Sequence, residues 1–206
     1  EIPYDFQRKR LSVVVREKNQ LQMITKGAIV PILDACSLSE SERTAHLERA
    51  EAWGQTGHRV LGVAKKLTAP KGTWHREDEV DLSFCGFLTF FDPPKEGIGQ
   101  TLSALKELGV SLKVISGDSR AVNVHLAREV GLKAEEVLTG AQLDDLSDEA
   151  LWAKVQTTEV FAEVDPNQKE RIILALKKRG HVVGYMGDGI NDAPALHAAD
   201  VSISVD

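Results

Sequence analysis

A chain of 206 residues is long enough for one or two domains with cores of their own. Its apolar and charged fractions, 42% and 27%, are those of an ordinary globular protein, and a net charge of −6 leaves no basic footprint for nucleic acid. Two cysteines, Cys36 and Cys85, lie far apart without CxxC spacing and read as reduced, partly buried thiols, while the longest apolar run, around residues 84–91, is too short to cross a bilayer.

No signal peptide opens the sequence. Glu1-Ile2-Pro3 enters without Met, straight into a strand-like pattern, and reads as part of a longer polypeptide. Residues 11–15 are rich in β-branched side chains and residues 21–25 alternate, so with the polar segment 16–20 between them they predict a hairpin. Lys26-Gly27-Ala28 closes the second strand and leads into a short helix over residues 29–36. A lysine beside a glycine at a strand end can hold an ammonium over a phosphate or purine; the plain alternative is a solvated turn lysine. Residues 39–54 predict a helix capped by Ser39 or Ser41, with Ala45, Leu47, Ala50 and Trp53 apolar. Gly57-His58-Arg59 opens a strand over residues 60–64. The acidic run Glu77-Asp78-Glu79-Val80-Asp81 reads as a solvated face without a role. A strand at residues 84–91 ends at Asp92-Pro93-Pro94-Lys95, where two prolines stop strand and helix alike and suggest a domain boundary.

Beyond the prolines the period changes. Ile98, Leu102, Leu105 and Leu108 make a helix stripe closed by Gly109, and a strand over residues 110–115 ends in Ser116-Gly117-Asp118. A helix over residues 121–130 closes at Gly131. A short strand near residues 137–138, a helix from Asp148 and a strand at residues 160–162 follow, leading to Asp165-Pro166-Asn167-Gln168-Lys169. A helix over residues 170–178, a strand at 181–186 and a last strand at 201–205 complete the chain. Alternating strands and helices predict βαβ units and a parallel sheet covered on both faces.

Three strand ends in this half carry polar devices, and ligands bind at that edge of open α/β sheets. Ser116-Gly117-Asp118 offers a hydroxyl, an approachable backbone N–H and a helix N-terminus to a phosphoryl group. Lys169 can set a point cation against phosphoryl charge. The strand at 181–186 runs into Gly187-Asp188-Gly189-Ile190-Asn191-Asp192-Ala193-Pro194-Ala195-Leu196, where Asp188 and Asp192 are hard oxygen donors suited to Mg²⁺. The bland reading of that string is an acidic turn, with Asp192 as helix N-cap and Pro194 in the first turn. Together the three devices describe a Mg²⁺-dependent phosphoryl-transfer site.

This ten-residue string resembles the hinge signature of P-type ATPases. Asp92-Pro93-Pro94-Lys95, Ser116-Gly117-Asp118, Asp165-Pro166 with Lys169, and Lys26-Gly27-Ala28 match that family's other cytoplasmic motifs in order. The stretch from Tyr4 to Val15 is most similar to the bacterial magnesium-transporting branch. The resemblance implies a haloacid-dehalogenase-like, doubly wound parallel sheet over residues 92–206, most of a phosphorylation domain with its first strand missing. Residues 1–91 would be the C-terminal part of an α+β, antiparallel-sheet ATP-binding domain. There it implies that Phe6 stacks on adenine, Lys26 and Gly27 line the adenine pocket, and Arg59 and Arg8 reach the ATP phosphates. In the second domain it implies that Ser116 and Gly117, with Asp118, bind the transferred phosphoryl group and Lys169 neutralises it. Asp188 ligates Mg²⁺, with Asn191 and Asp192 supporting the loop and Asp192 a second candidate ligand. The intact protein would sit in a bacterial membrane with this region on the cytoplasmic face. A divalent cation would cross through membrane helices outside this sequence, which taken alone would be soluble.

Two departures stand out. Ser116 replaces the threonine of most members and keeps the hydroxyl. The family's nucleophilic aspartate belongs to an Asp-Lys-Thr-Gly-Thr string that does not occur here, so this polypeptide alone is not expected to catalyse phosphorylation. Two rival readings stay open: a soluble phosphatase of the same fold with residues 1–91 as its cap, and a non-catalytic nucleotide-binding module.

Overall fold

The β-branched runs of the first half pair into one antiparallel sheet. A computed structural model describes residues 1–5, 7–188 and 190–205, with only the backbone of Ile190, and the chain divides into two units, Glu1–Asp92 and Pro93–Asp206. In the first unit β1 (Ile2–Asp5), β2 (Arg10–Glu17), β3 (Gln20–Ala28), β4 (His58–Thr68) and β5 (Ser83–Phe91) lie in sequence order, each antiparallel to its neighbour. The β2–β3 hairpin turns at Lys18 and Asn19, with φ of 43° and 67°, the left-handed pair that suits a two-residue hairpin loop. Two helices, α1 (Ile29–Asp34) and α2 (Glu40–Gln55), follow β3, and Ile32 packs with Met23, Ala64 and Leu82 in the core. Ser39 caps α2 through a reciprocal bond pair with Glu42. Register sets Lys26 of β3 opposite Val63 of β4, and Arg59, four residues from Val63, points to the same side of the sheet.

The acidic run departs from expectation. Glu77 is exposed, yet Glu79 is fully buried, with a relative exposure of 0%. Its carboxylate faces two arginines and a serine from β2 and the turn before it.

In the second unit β6 (Val114–Ile115), β8 (Val160–Ala162) and β7 (Val137–Thr139) form a parallel sheet in the order β6-β8-β7. A separate parallel pair joins β9 (Gly184–Gly187) to β10 (Val201–Ser204). The parallel strands therefore come in two pieces, and the strand expected over residues 110–115 shortens to two residues. Its one neighbour among the described residues, β8, is three residues long and supplies little ladder. Helices α6 (Asp148–Thr157) and α7 (Pro166–Lys178) join the pieces: Leu151, Val155, Ile172 and Ile173 share one core with Phe161 of β8 and Tyr185 of β9. The amphipathic helix α3 (Ile98–Glu107) forms as predicted and closes before Gly109 at φ 77°, but no described residue of it is buried. The short helix α5 (Gly140–Asp144) has no counterpart in the sequence reading; a Thr139–Gln142 capping box starts it.

Candidate functional site

The end of β9 sets up the second unit's site. After Gly187 the chain turns through Asp188 into a 3₁₀ turn, Ile190–Asp192, and then α8 (Ala193–Ala198). Asp192 holds the N-cap position, but its side chain makes no capping bond. It points back into the protein and is 6% exposed. Its Oδ1 accepts from Lys169 Nζ at 2.6 Å and from the Tyr185 hydroxyl at 2.9 Å, while Oδ2 accepts from the Asp188 backbone N–H at 3.1 Å. Gly187 makes this possible, since a Cβ there would fall 2.4 Å from Oδ2 of Asp192.

Burial raises the Asp192 pKa, but the bonds from Lys169 and Tyr185 outweigh it and hold the carboxyl below its ordinary range. Burial and then the bond to Asp192 push the Tyr185 phenol well above its ordinary value, so it stays a donor. Asp188 is exposed, its backbone fixed by Asp192. Of the two aspartates expected to face Mg²⁺, Asp192 has both carboxylate oxygens engaged by protein donors and acts in this geometry as an anchor. Among the described residues no group of three or more His, Cys, Asp or Glu is placed to hold a metal. Mg²⁺ fits a sparser set, since it takes one or two carboxylates and keeps several waters. Asn191 is exposed beside Asp192, and Gly189, the second glycine of the string, lies outside the described residues.

The phosphoryl-loop candidates connect to the same place. The Ser116 N–H donates to Phe161 O at 2.9 Å, and the Val164 N–H returns to Ser116 O at 3.2 Å. The Ser116 hydroxyl donates to Asp118 Oδ2 at 3.3 Å and accepts from the Asp118 N–H at 3.1 Å, closing a small ring around the exposed Gly117. Asn123, buried on α4 (Arg120–Glu129), donates to Asp118 O at 3.0 Å and Ser119 O at 3.1 Å and holds the loop from below. One residue beyond Val164, Asp165 caps α7 in a reciprocal pair with Gln168, starting the helix at Pro166, earlier than predicted. Lys169 follows in its first turn. A chain of contacts thus runs from Ser116 through Val164 and α7 to Lys169, Asp192 and Asp188. Sequence reasoning missed Tyr185, whose hydroxyl is hidden in a run that reads as apolar.

In the first unit the candidates part company. Phe6 lies outside the described residues. Arg8, expected near phosphate, is committed elsewhere: its guanidinium pairs with Asp5 and Glu79 and donates to Pro3 O at 2.7 Å. These three bonds tie Arg8 to β1 and to the buried Glu79. Lys26 is exposed on β3 and Arg59 is exposed on β4, opposite Phe90. Gly27 is buried and admits the Lys9 carbonyl, which a Cβ would meet at 2.4 Å. That carbonyl accepts from the Ala28 N–H at 2.9 Å, so the turn carrying Lys9 is bonded to the Lys26-Gly27-Ala28 segment. Lys9, exposed at φ 50°, is a cation the sequence reading passed over; its signal was its place in the cationic run Arg8-Lys9-Arg10.

The haloacid dehalogenase-like hydrolase family model matches residues 28–200. The chain belongs to that family. This haloacid dehalogenase-like chain is similar along its whole length to cation-transporting ATPases. It is 45% identical over 218 residues to "Magnesium-transporting ATPase, P-type 1" of Escherichia coli (strain K12) and 44% identical to the Salmonella typhimurium protein of that name. "Calcium-transporting ATPase 1" of Bacillus cereus is 32% identical over 217 residues. The chain spans 24% of the length of each. The resemblance read from the motifs is thereby borne out.

Proposed function

We propose that this chain is the nucleotide-binding and phosphorylation region of an ATP-driven cation pump of the magnesium-transporting kind. Residues 1–91 are the C-terminal part of its ATP-binding domain and residues 92–206 most of its phosphorylation domain. The observation that carries the reading is the Lys169–Asp192–Asp188 arrangement at the C-terminal end of β9. A buried carboxylate holds a lysine on one side and the backbone of an exposed aspartate on the other.

In the complete protein a carboxylate attacks the γ-phosphorus of ATP, the bond to the bridging oxygen breaks and ADP leaves; water later hydrolyses the acyl phosphate. The Asp-Lys-Thr-Gly-Thr nucleophile is outside this chain. The open side of β6 offers an edge to which a further parallel strand can pair. Ser116 and the Gly117 backbone receive the phosphoryl oxygens, and Lys169 opposes the charge that develops on them. Asp188 would hold Mg²⁺, which when bound supplies Lewis-acid stabilisation of the same oxygens. Lys26, Arg59 and Lys9 face the nucleotide in the first unit. No described helix is long and apolar enough to cross a membrane. The transported cation is assigned to membrane segments elsewhere in the protein, with this region on the cytoplasmic face.

The test is ³²P transfer from γ-labelled ATP to the complete protein in membranes, scanned over divalent cations. An acid-stable, hydroxylamine-labile phosphoenzyme is expected on the wild type. It should fall at least ~100-fold in Asp188→Ala and be absent from the present chain alone. Hydrolysis of small phosphate esters with no phosphoenzyme under any ion would hand the assignment to the soluble phosphatase reading.

A further inference from the structure

Glu79 is a fully buried carboxylate that the proposed site does not use. Three side chains reach it. Arg10 Nε donates to Oε2 at 2.9 Å, the Arg8 guanidinium shares that oxygen, and the Ser12 hydroxyl donates to Oε1 at 2.7 Å. Ser12 is itself 2.8 Å from Thr25 Oγ1 on the next strand, which extends the network to β3.

The two arginines carry the network outward. Arg10 Nη1 donates to Pro31 O in α1 at 2.8 Å, and Arg8 ties to Asp5 and Pro3 at the end of β1. Residues 8–10 are therefore clamped from both sides. The Lys9 N–H donates to Asp5 O at 2.9 Å, and Lys9 O accepts from Ala28 N–H at 2.9 Å. What these bonds hold in place is a turn that presents Lys9 to solvent, bonded to the strand end that presents Lys26. A buried, doubly paired carboxylate is a costly way to stabilise a fold and a good way to specify one geometry. Burial raises the Glu79 pKa, but the bonds from Ser12, Arg10 and Arg8 outweigh it and hold the group ionised.

We infer that Glu79 is a positioning residue for nucleotide binding: through Arg8 and Arg10 it fixes residues 8–10 against β3 and so sets the spacing of the Lys9 and Lys26 ammonium groups that meet the nucleotide. The inference rests on the proposed reading of the first unit as the ATP-binding one.

The experiment uses the complete protein and measures ATP dissociation and the KM for ATP in phosphoenzyme formation, alongside thermal melting. Glu79→Gln keeps the shape and removes the charge that pairs both guanidinium groups. It is expected to raise the dissociation constant and KM about tenfold while phosphoenzyme at saturating ATP stays near the wild-type level. Glu79→Asp should recover part of the affinity. Where Glu79→Gln fails to fold, Ser12→Ala decides, since it removes one bond to Glu79 away from solvent; a rise of about threefold in KM is expected. A folded Glu79→Gln, or in its place Ser12→Ala, that binds ATP as the wild type does overturns the inference. Lys26→Ala separates the two levels of the argument. If Lys26→Ala weakens ATP and Glu79→Gln does not, the positioning role fails alone. If neither moves ATP affinity, the reading of the first unit fails with it.

Discussion

Among the described residues the two units each bury one acidic side chain, Glu79 in the first and Asp192 in the second, and they surround it differently. Glu79 meets two guanidinium groups and a hydroxyl, from residues 67 to 71 positions away in sequence. Asp192 meets one ammonium, one phenol and a backbone N–H, two of the three from within seven residues. Guanidinium groups are planar, always charged and commit their donors in fixed directions; an ammonium is a compact point charge on a flexible stem. The first cluster therefore suits a permanent brace. The second holds a compact point charge, and it leaves an exposed carboxylate, Asp188, beside it. The contrast teaches that burial alone does not distinguish a scaffold carboxylate from a site carboxylate. The identity of the cation and the openness of the neighbours do.

The hardest test of this contrast is Glu79→Ala, which leaves Arg8 and Arg10 without their shared partner. A loss of about 3–5 kcal/mol is expected, read as faster amide exchange across β2 and β3 with β7 and β8 unchanged. Asp192→Asn should cost about 1.5–3 kcal/mol at neutral pH, since it weakens a charge-assisted bond to Lys169. Because the folded Asp192 pKa is lowered, its contribution is fully present above the unfolded carboxylate value of about 3.9 and fades as pH falls through the lower folded value. The gap in melting temperature between wild type and variant should therefore hold from pH 7 to about 5 and close below about 4. A gap that widened on acidification would break the comparison. Smallest is Gly187→Ala, expected to cost about 1–3 kcal/mol by driving a methyl group into the Asp192 carboxylate. Combined with Asp192→Ala it should cost less than the sum of the two changes, because both act on one contact.

Much of the fold was legible because its signals are local. The Lys18-Asn19 turn, the Ser39 cap and the glycines closing α3 and α4 each act within a few residues. The Gly187-to-Leu196 string was legible for the same reason. Reading charge as solvent exposure failed at Glu79, because its partners lie on other strands and nothing adjacent announces them. Arg8, a cation expected to face phosphate, also pairs within the fold, with Asp5 and Glu79. Tyr185 was lost in an apolar run, although its alternation with the exposed Met186 puts it on the inner face. The short β6 was unreadable because a strand's length depends on what lies beside it.

Helix α7 reaches further than its residues suggest. Its first turn holds Lys169 against Asp192 and Gln168 against Gly140 O; Arg171 grips Leu143 O and Leu146 O; its last turn sets Lys177 on Ala198 O and Asp200. Over 13 residues, about 20 Å, it works as a rigid shaft with a fitting at each end. One helix thus ties the Asp192 carboxylate to the segment entering β10.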